Sequence, residues 1–232
     1  MNLGVLLLAA GSGSRFGGGT PKQYVRVAGK ALLVHTLHAL AKEARIQVLQ
    51  PVLAEGDDYF AEAVAGEVFP FQLLPPVSGG PARSISMQHG LAALPDSIDL
   101  VAVHDAARPL PSPQLLADVL DMADRYGAAV PGVEVADTIK RIDESGRVLD
   151  TPDRRNLRAV QTPQVARRAW FEEALQLESE HLAQHTDDAS LLEAAGFPVY
   201  ISQGDSMNRK VTRMDDLEWL RAQLEKNLEM HE

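Results

Sequence analysis

Two cations bracket a run of glycines in Gly11-Ser12-Gly13-Ser14-Arg15-Phe16-Gly17-Gly18-Gly19-Thr20-Pro21-Lys22. A loop so poor in side chains lets backbone N–H groups approach phosphate oxygens closely and at unusual dihedrals, while Arg15 and Lys22 supply countercharge for a polyphosphate. Two phosphate-loop patterns fail on spacing. A G-x-G-x-x-G fingerprint would need glycine where Phe16 stands, and G-K-[ST] would need other neighbours than Pro21 and Gln23 around Lys22. A second cluster, His104-Asp105-Ala106-Ala107-Arg108-Pro109, offers a carboxylate that can hold a divalent cation or bond sugar hydroxyls, and a guanidinium that can clamp a phosphate. Asp105 could equally cap a following helix, and His104 reads as a structural neighbour. A third run, Gly79-Gly80-Pro81-Ala82-Arg83-Ser84-Ile85-Ser86, leads into a helix. Further along stand Asp137-Thr138-Ile139-Lys140, Asp153-Arg154, Gln161-Thr162-Pro163-Gln164, Thr186-Asp187-Asp188-Ala189-Ser190 and Asn208-Arg209-Lys210-Val211-Thr212. Thr138 and Arg154 suit a phosphate, whereas Thr186 can cap a helix as readily as touch a substrate.

These groups need elements to position them. Leu3–Ala9 reads as a buried parallel strand, so the glycine loop falls just beyond its carboxyl end, where α/β proteins bind ligands. The spacing predicts a helix over Ala31–Ala44, a strand at Ile46–Leu53, a short helix over Asp57–Glu67, and an apolar segment at Phe69–Leu74. It then predicts a helix from about Ala82 to Leu94, a fully apolar strand at Leu100–His104, a helix over Gln114–Tyr126 and a short strand at Ala128–Pro131. Such alternation implies an α/β fold with a parallel sheet, right-handed crossovers and helices on both faces. Val135–Asp150 departs from it. Two short alternating runs flank Glu144-Ser145-Gly146, a hairpin signature between Ala128–Pro131 and the next core segment, Leu157–Gln161. An isolated two-stranded ribbon is marginal in water, so this arm, at about 135–155, is expected to pack against a second copy in a homodimer.

Composition bounds the rest. The 232 residues suit one large α/β domain spanning 1–232, with no internal repeat or linker. A formal charge of −10 opposes general nucleic-acid binding and makes the local clusters of Arg and Lys more informative. No cysteine is present for a disulfide, a thiolate nucleophile or a thiolate metal site. No apolar run reaches membrane-spanning length and no basic leader precedes the first strand, so a cytoplasmic protein is expected.

Taken in order, Ala9-Ala10-Gly11-x-Gly13-x-Arg15-Phe16 with Pro21-Lys22-Gln23-Tyr24, then H-D-A-A-R-P, D-T-x-K, T-D-D-A-S and N-x-K-V-T, resemble the nucleotidyltransferases that join a polyol phosphate to a nucleoside triphosphate. Within them the chain is most similar to the 2-C-methyl-D-erythritol 4-phosphate cytidylyltransferase family, over Leu6 to about Thr212. The resemblance implies a Rossmann-like, mostly parallel twisted sheet with a protruding β-hairpin arm for dimerisation. It implies transfer of the cytidylyl group from CTP to the polyol phosphate in non-mevalonate isoprenoid precursor synthesis, with Mg²⁺ or another divalent cation. It further implies a CTP pocket of Ala9, Ala10, Gly11, Gly13, Gly79, Arg83, Ser86 and Asp105, with Asp105 also the metal ligand. Arg15, Lys22 and Lys210 would be catalytic, while Arg108, Thr138, Arg154 and Thr186 would hold the polyol phosphate, the arm reaching the neighbouring subunit's site. The family usually carries acidic residues where this chain has Pro81, Ala82 and Ile85, and often one directly before Asn208, where Met207 stands. Three other readings are a ribitol 5-phosphate cytidylyltransferase, a nicotinamide-dependent dehydrogenase and a nucleotide-binding regulator without catalysis.

Overall fold

The computed structural model describes residues 2–11 and 19–229. Its first half alternates as the spacing predicts: β1 (Leu3–Ala9), a ribbon of β2 (Arg26–Val27) and β3 (Lys30–Ala31), α1 (Leu32–Leu40), β4 (Ile46–Leu53), α2 (Phe60–Ala63), β5 (Gln72–Leu73), β6 (Val77–Ser78), α3 (Arg83–Ala93) and β7 (Leu100–Asp105). After these come α4 (Pro113–Tyr126), β8 (Ala128–Glu134), β9 (Arg141–Ile142), β10 (Val148–Asp150), β11 (Arg158–Val160), β12 (Gln164–Arg167), α5 (Arg168–Leu177), α6 (Asp188–Ala194), β13 (Tyr200–Gln203) and α7 (Met214–Glu229).

Among the described residues the main sheet runs β11-β8-β12-β7-β1-β4-β5, with β13 also on β8 and β6 also on β4. The pairs β1–β4, β1–β7, β4–β5, β4–β6 and β8–β13 are parallel. Alternating side chains on β1 feed both faces. Leu3, Val5 and Leu7 enter one core with Leu33 and Leu37 of α1 and Leu116 and Val119 of α4, whereas Leu6 enters the other with Met87 and Leu91 of α3 and Phe171 of α5. Each fully buried leucine or phenylalanine contributes roughly 1.5–3 kcal/mol. A smaller cluster seats Leu217 and Leu220 of α7 on Val27, Leu32, Ala107 and Val211, next to the end of β7. Helix α4 shows how these ends are set: the Ser112 hydroxyl accepts the Leu115 N–H, Pro113 opens the first turn, and Gly127 ends the helix at φ +97°.

The structure departs from the sequence expectations at three places. The sheet is not wholly parallel, because β12 runs antiparallel between β7 and β8 and β11 lies antiparallel on β8. Leu157–Gln161 is not a core segment: β11 is exposed along its length, and the buried piece is β12, a few residues beyond it. Only Phe60–Ala63 of the span Asp57–Glu67 is α-helical, with Asp57 accepting the Tyr59 and Phe60 N–H groups at its start. The hairpin is present as β9 and β10, turning through Gly146 at φ +84°, with Asp143 Oδ1 accepting from the Ser145 and Arg147 amides. Its Ile142, Val148 and Leu149 are more than half exposed.

Candidate active site

Three parallel strands end at one edge. Leu8 is opposite Asp105 in the β1–β7 register, the Ala106 N–H donates to the Leu8 carbonyl at 3.0 Å, and the Gly79 N–H reaches the last carbonyl of β4, Leu53, at 2.7 Å. The start of the glycine loop, the Asp105 turn and the Gly79-Gly80 turn therefore meet around a cavity of about 520 Å³. Ala9, Ala10, Gly11, Lys22, Arg83, Ser86, Asp105 and Lys210 line it, as do Gly80, Pro81 and Ala82. Gly79 stands just behind: a Cβ there would lie 2.5 Å from the Ala10 Cβ and 2.8 Å from the Ser86 Oγ, so only glycine lets the two turns close up. The Ser86 hydroxyl accepts the Gly80 N–H at 3.0 Å and fixes that turn. Gly13 and Arg15 lie outside the described residues.

Lys22 enters from a 3₁₀ turn over Lys22–Tyr24, whose return to β1 is secured by the Gln23 side-chain amide donating to the Ala9 carbonyl at 2.8 Å. The Lys22 ammonium donates to the Val211 carbonyl at 3.0 Å. Lys210 arrives on the neighbouring segment, held where the Val211 N–H donates to the Ala107 carbonyl, and its ammonium lies 2.8 Å from Asp105 Oδ2.

Asp105 is the hub. Its other oxygen accepts from Arg83 at 3.4 Å, and Arg108 Nε lies 3.7 Å from Oδ2. Burial alone would raise the Asp105 pKa, but the charges of Arg83, Lys210 and Arg108 outweigh it and hold the carboxyl well below the usual range. Arg83 bridges two acids, since its second nitrogen is 2.5 Å from Asp188 Oδ2; the two carboxylates overcome burial and keep the guanidinium charged. Burial pushes the Asp188 carboxyl up, against the pull of Arg83.

Behind this layer is a set of polar contacts centred on the strand β12 and the residues leading into it. The Asp105 N–H donates to the Thr162 hydroxyl at 3.1 Å, which bonds His104 Nδ1 at 2.9 Å. His104 Nε2 donates to the Arg108 carbonyl at 3.1 Å, so Nδ1 is the acceptor and the ring is neutral; burial pushes its pKa down to about 4. The Asn208 amide donates to the Thr162 carbonyl at 2.7 Å, and Arg108 donates to the Asn208 carbonyl at 2.8 Å. Gln161 exchanges two hydrogen bonds with the Asp205 backbone. His104 is thus the structural neighbour expected, while Gln23, Thr162, Asn208 and Asp188 were not singled out. The P-K-Q-Y, Q-T-P-Q, N-x-K-V-T and T-D-D-A-S strings, which contain all four, were the available signal.

The polyol-phosphate candidates divide. Arg108 is in the Asp105 cluster, but Thr138, Arg154 and Thr186 do not line the cavity. Thr138 and Arg154 are exposed at the base of the arm, with Arg154 donating to the Ala136 carbonyl beside a separate cavity that includes Arg155 and Arg158. Thr186 does not cap α6; Asp187 does, in a capping box with Ser190. A cavity of about 580 Å³ at the opposite end of β7 holds Arg168, whose charge is already matched by Asp96 and Glu172.

A carboxylate ringed by cations, set against a glycine-rich turn at the carboxyl edge of a doubly wound sheet, makes this an α/β protein with a site suited to a phosphorylated ligand. The family model described as "IspD: 2-C-methyl-D-erythritol 4-phosphate cytidylyltransferase" matches residues 3–226, and the chain belongs to that family. A protein of Desulforamulus reducens named 2-C-methyl-D-erythritol 4-phosphate cytidylyltransferase is 36% identical over 227 residues, 97% of either chain. The crystal structure of 2-C-methyl-D-erythritol 4-phosphate cytidylyltransferase from Thermus thermophilus superposes with a TM-score of 0.77 at 33% identity, covering 96% of this chain and 98% of that one. The "Bifunctional enzyme IspD/IspF" of Nitrobacter winogradskyi is 41% identical over 214 residues, 91% of this chain and 53% of that protein. The chain spans about half the length of the bifunctional curated relatives it matches. No helix among the described residues is long and apolar enough to cross a membrane.

Proposed function

We propose that the chain transfers the cytidylyl group of CTP to 2-C-methyl-D-erythritol 4-phosphate, releasing pyrophosphate, as a step of isoprenoid precursor synthesis in the cytoplasm. The observation that carries this reading is the Asp105 cluster, in which Arg83, Arg108 and Lys210 converge on one carboxylate at a cavity that Lys22 also lines, within a chain of this family. A phosphate oxygen of the polyol substrate attacks the α-phosphorus; a new P–O bond forms there, the bond to the bridging oxygen breaks, and pyrophosphate departs with its electron pair. The attacking group is already an anion, so no general base is needed, and the rate comes from positioning and charge neutralisation. Arg15 and Lys22 would hold the triphosphate, and Lys210 would leave Asp105 for the α-phosphate. Among the described residues Asp105 is the one acidic side chain lining the cavity, and no group of three acidic or histidine side chains suited to a metal exists among them. That donor set fits Mg²⁺ carried largely by the triphosphate oxygens, with Asp105 as its protein ligand, where the ion would neutralise phosphate charge.

Thr138 and Arg154 stand away from the cavity on an arm with exposed apolar residues, which supports a homodimer in which each arm serves the other subunit's site. Pro81 and Ala82 give the cavity an apolar wall where the family usually has acids, leaving base selection to backbone groups and to Ser86. The test is pyrophosphate release with each nucleoside triphosphate against a panel of polyol phosphates. Turnover is expected with CTP and 2-C-methyl-D-erythritol 4-phosphate; preference for ribitol 5-phosphate would overturn the acceptor, and no turnover with CTP the whole reading.

A further inference from the structure

We propose that Asp188, which does not line the cavity, is a positioning residue for CTP: it anchors Arg83, and Arg83 in turn fixes Asp105. The proposal rests on the CTP reading above. Asp188 opens α6 with 1% of its surface exposed, and its Oδ2 accepts from Arg83 Nη1 at 2.5 Å. Its other oxygen is buried without a partner. A carboxylate in that state costs stability, and an apolar residue of similar volume would serve a purely architectural role better. Its position is nevertheless secured from two directions. Asp187 closes a capping box with Ser190, and Gln164 on β12 donates to Asp187 Oδ2 at 2.9 Å while accepting the Ala189 N–H at 2.8 Å. Strand β12 is paired to β7, so the acid and the hub it steadies hang from neighbouring strands.

The rigid fork of a guanidinium suits it to span two carboxylates. With Asp188 in place, one nitrogen faces Asp188 and another faces Asp105 Oδ1, which leaves Oδ2 to Lys210. Without it, Arg83 has Asp105 as its sole counter-charge and is drawn onto the carboxylate that the nucleotide site needs. The mechanism predicts weaker nucleotide binding with little change in the chemical step.

The test measures CTP affinity by calorimetry, with kcat and both KM values, at a temperature where every variant is folded. Asp188→Ala is expected to weaken CTP about 10-fold while kcat stays within about 3-fold, the scale of losing a hydrogen-bond partner to a charged group. Asp188→Asn keeps an oxygen that can accept from Arg83 and should recover most of the affinity. The Arg83→Gln and Asp188→Ala changes should not add when combined, since both break one bridge. CTP affinity within about twofold of the parent in Asp188→Ala, with only a lower melting temperature, overturns the proposal. If that variant does not fold, unchanged affinity in Arg83→Gln overturns it. A parent chain that binds CTP and releases pyrophosphate beside an unaffected variant defeats this inference alone; a parent that does neither defeats the function too.

Discussion

At the scale of single residues the site is a problem of charge. Four cations and one hub carboxylate crowd the edge of a protein whose formal charge is −10, and the surplus is suited to a triphosphate. Lys22 faces the cavity beside the segment that carries Lys210, its ammonium on the Val211 carbonyl, and both belong to segments anchored to the ends of β1 and β7. Lys22→Ala should lower kcat by about 100-fold, the usual effect of removing one donor aimed at developing charge; near-normal turnover would remove it from the machinery. His104 gives a pH signature. Its ordinary pKa is 6.5 and burial pushes it to about 4, so between those values the unfolded chain binds a proton that the folded chain refuses. The stability this provides is complete above pH 6.5 and is lost as pH falls through the window, about 2 kcal/mol between about pH 7 and pH 5. His35, lowered chiefly by burial, acts in the same direction. Urea unfolding at the two pH values should show the loss, and His104→Asn should shrink it; an equal loss in both proteins would contradict the assignment.

At the scale of elements, what could be read from the sequence depended on how completely an element was buried. Strands β1, β4 and β7 are buried nearly throughout and are written as mostly apolar runs, broken in β4 only by Gln47, Gln50 and Pro51, which is why their limits were legible to within a residue. Strand β12 is as buried but only four residues long, and Gln164 and Arg167 hide it from any pattern of hydrophobicity. Leu157–Gln161 misled in the opposite way, since Val160 and Ala159 look like core yet lie on the uncovered outer end of β8. The arm was legible because turn chemistry is local: Asp143 and Gly146 are the residues such a turn requires. Its Ile142 and Leu149, exposed at 56% and 53%, are the residues that the proposed homodimer would cover. Replacing both with serine should move the protein from dimer to monomer in sedimentation velocity; a parent that is already monomeric would refute the interlocked arms.

At the scale of the whole molecule the cavity's lining comes from four separated stretches of the chain, around Ala9 to Gln23, Gly80 to Ser86, Asp105 to Ala107 and Lys210. The resemblance carried by the motifs named part of the cavity's lining, Lys22, Arg83, Ser86, Asp105 and Lys210 among it, and loops at the carboxyl ends of parallel strands converge whatever lies between them. The supporting layer was not legible, since the Thr162–His104 and Asp188–Arg83 contacts join residues far apart in sequence through side chains with many possible partners. If the arm serves the other subunit, Lys22→Ala and Arg154→Ala damage different halves of a shared site. Mixed dimers of the two variants should regain up to about half of the parent dimer's activity, since one of the two sites is then intact, and verified heterodimers with no recovery would argue for self-contained subunits.

The antiparallel insertion of β12 also bears on how the protein is made. When β7 leaves the ribosome, its partner β1 is already available, but its other edge is an unpaired apolar strand. The segment that covers it is synthesised only after α4, β8 and the whole arm have been added. At about 5–20 residues per second, the nascent chain carries that open edge for several seconds. During this interval it is a template for pairing with other chains, so the greatest risk of misassembly falls in the middle of translation and ends when Gln164–Arg167 closes the gap.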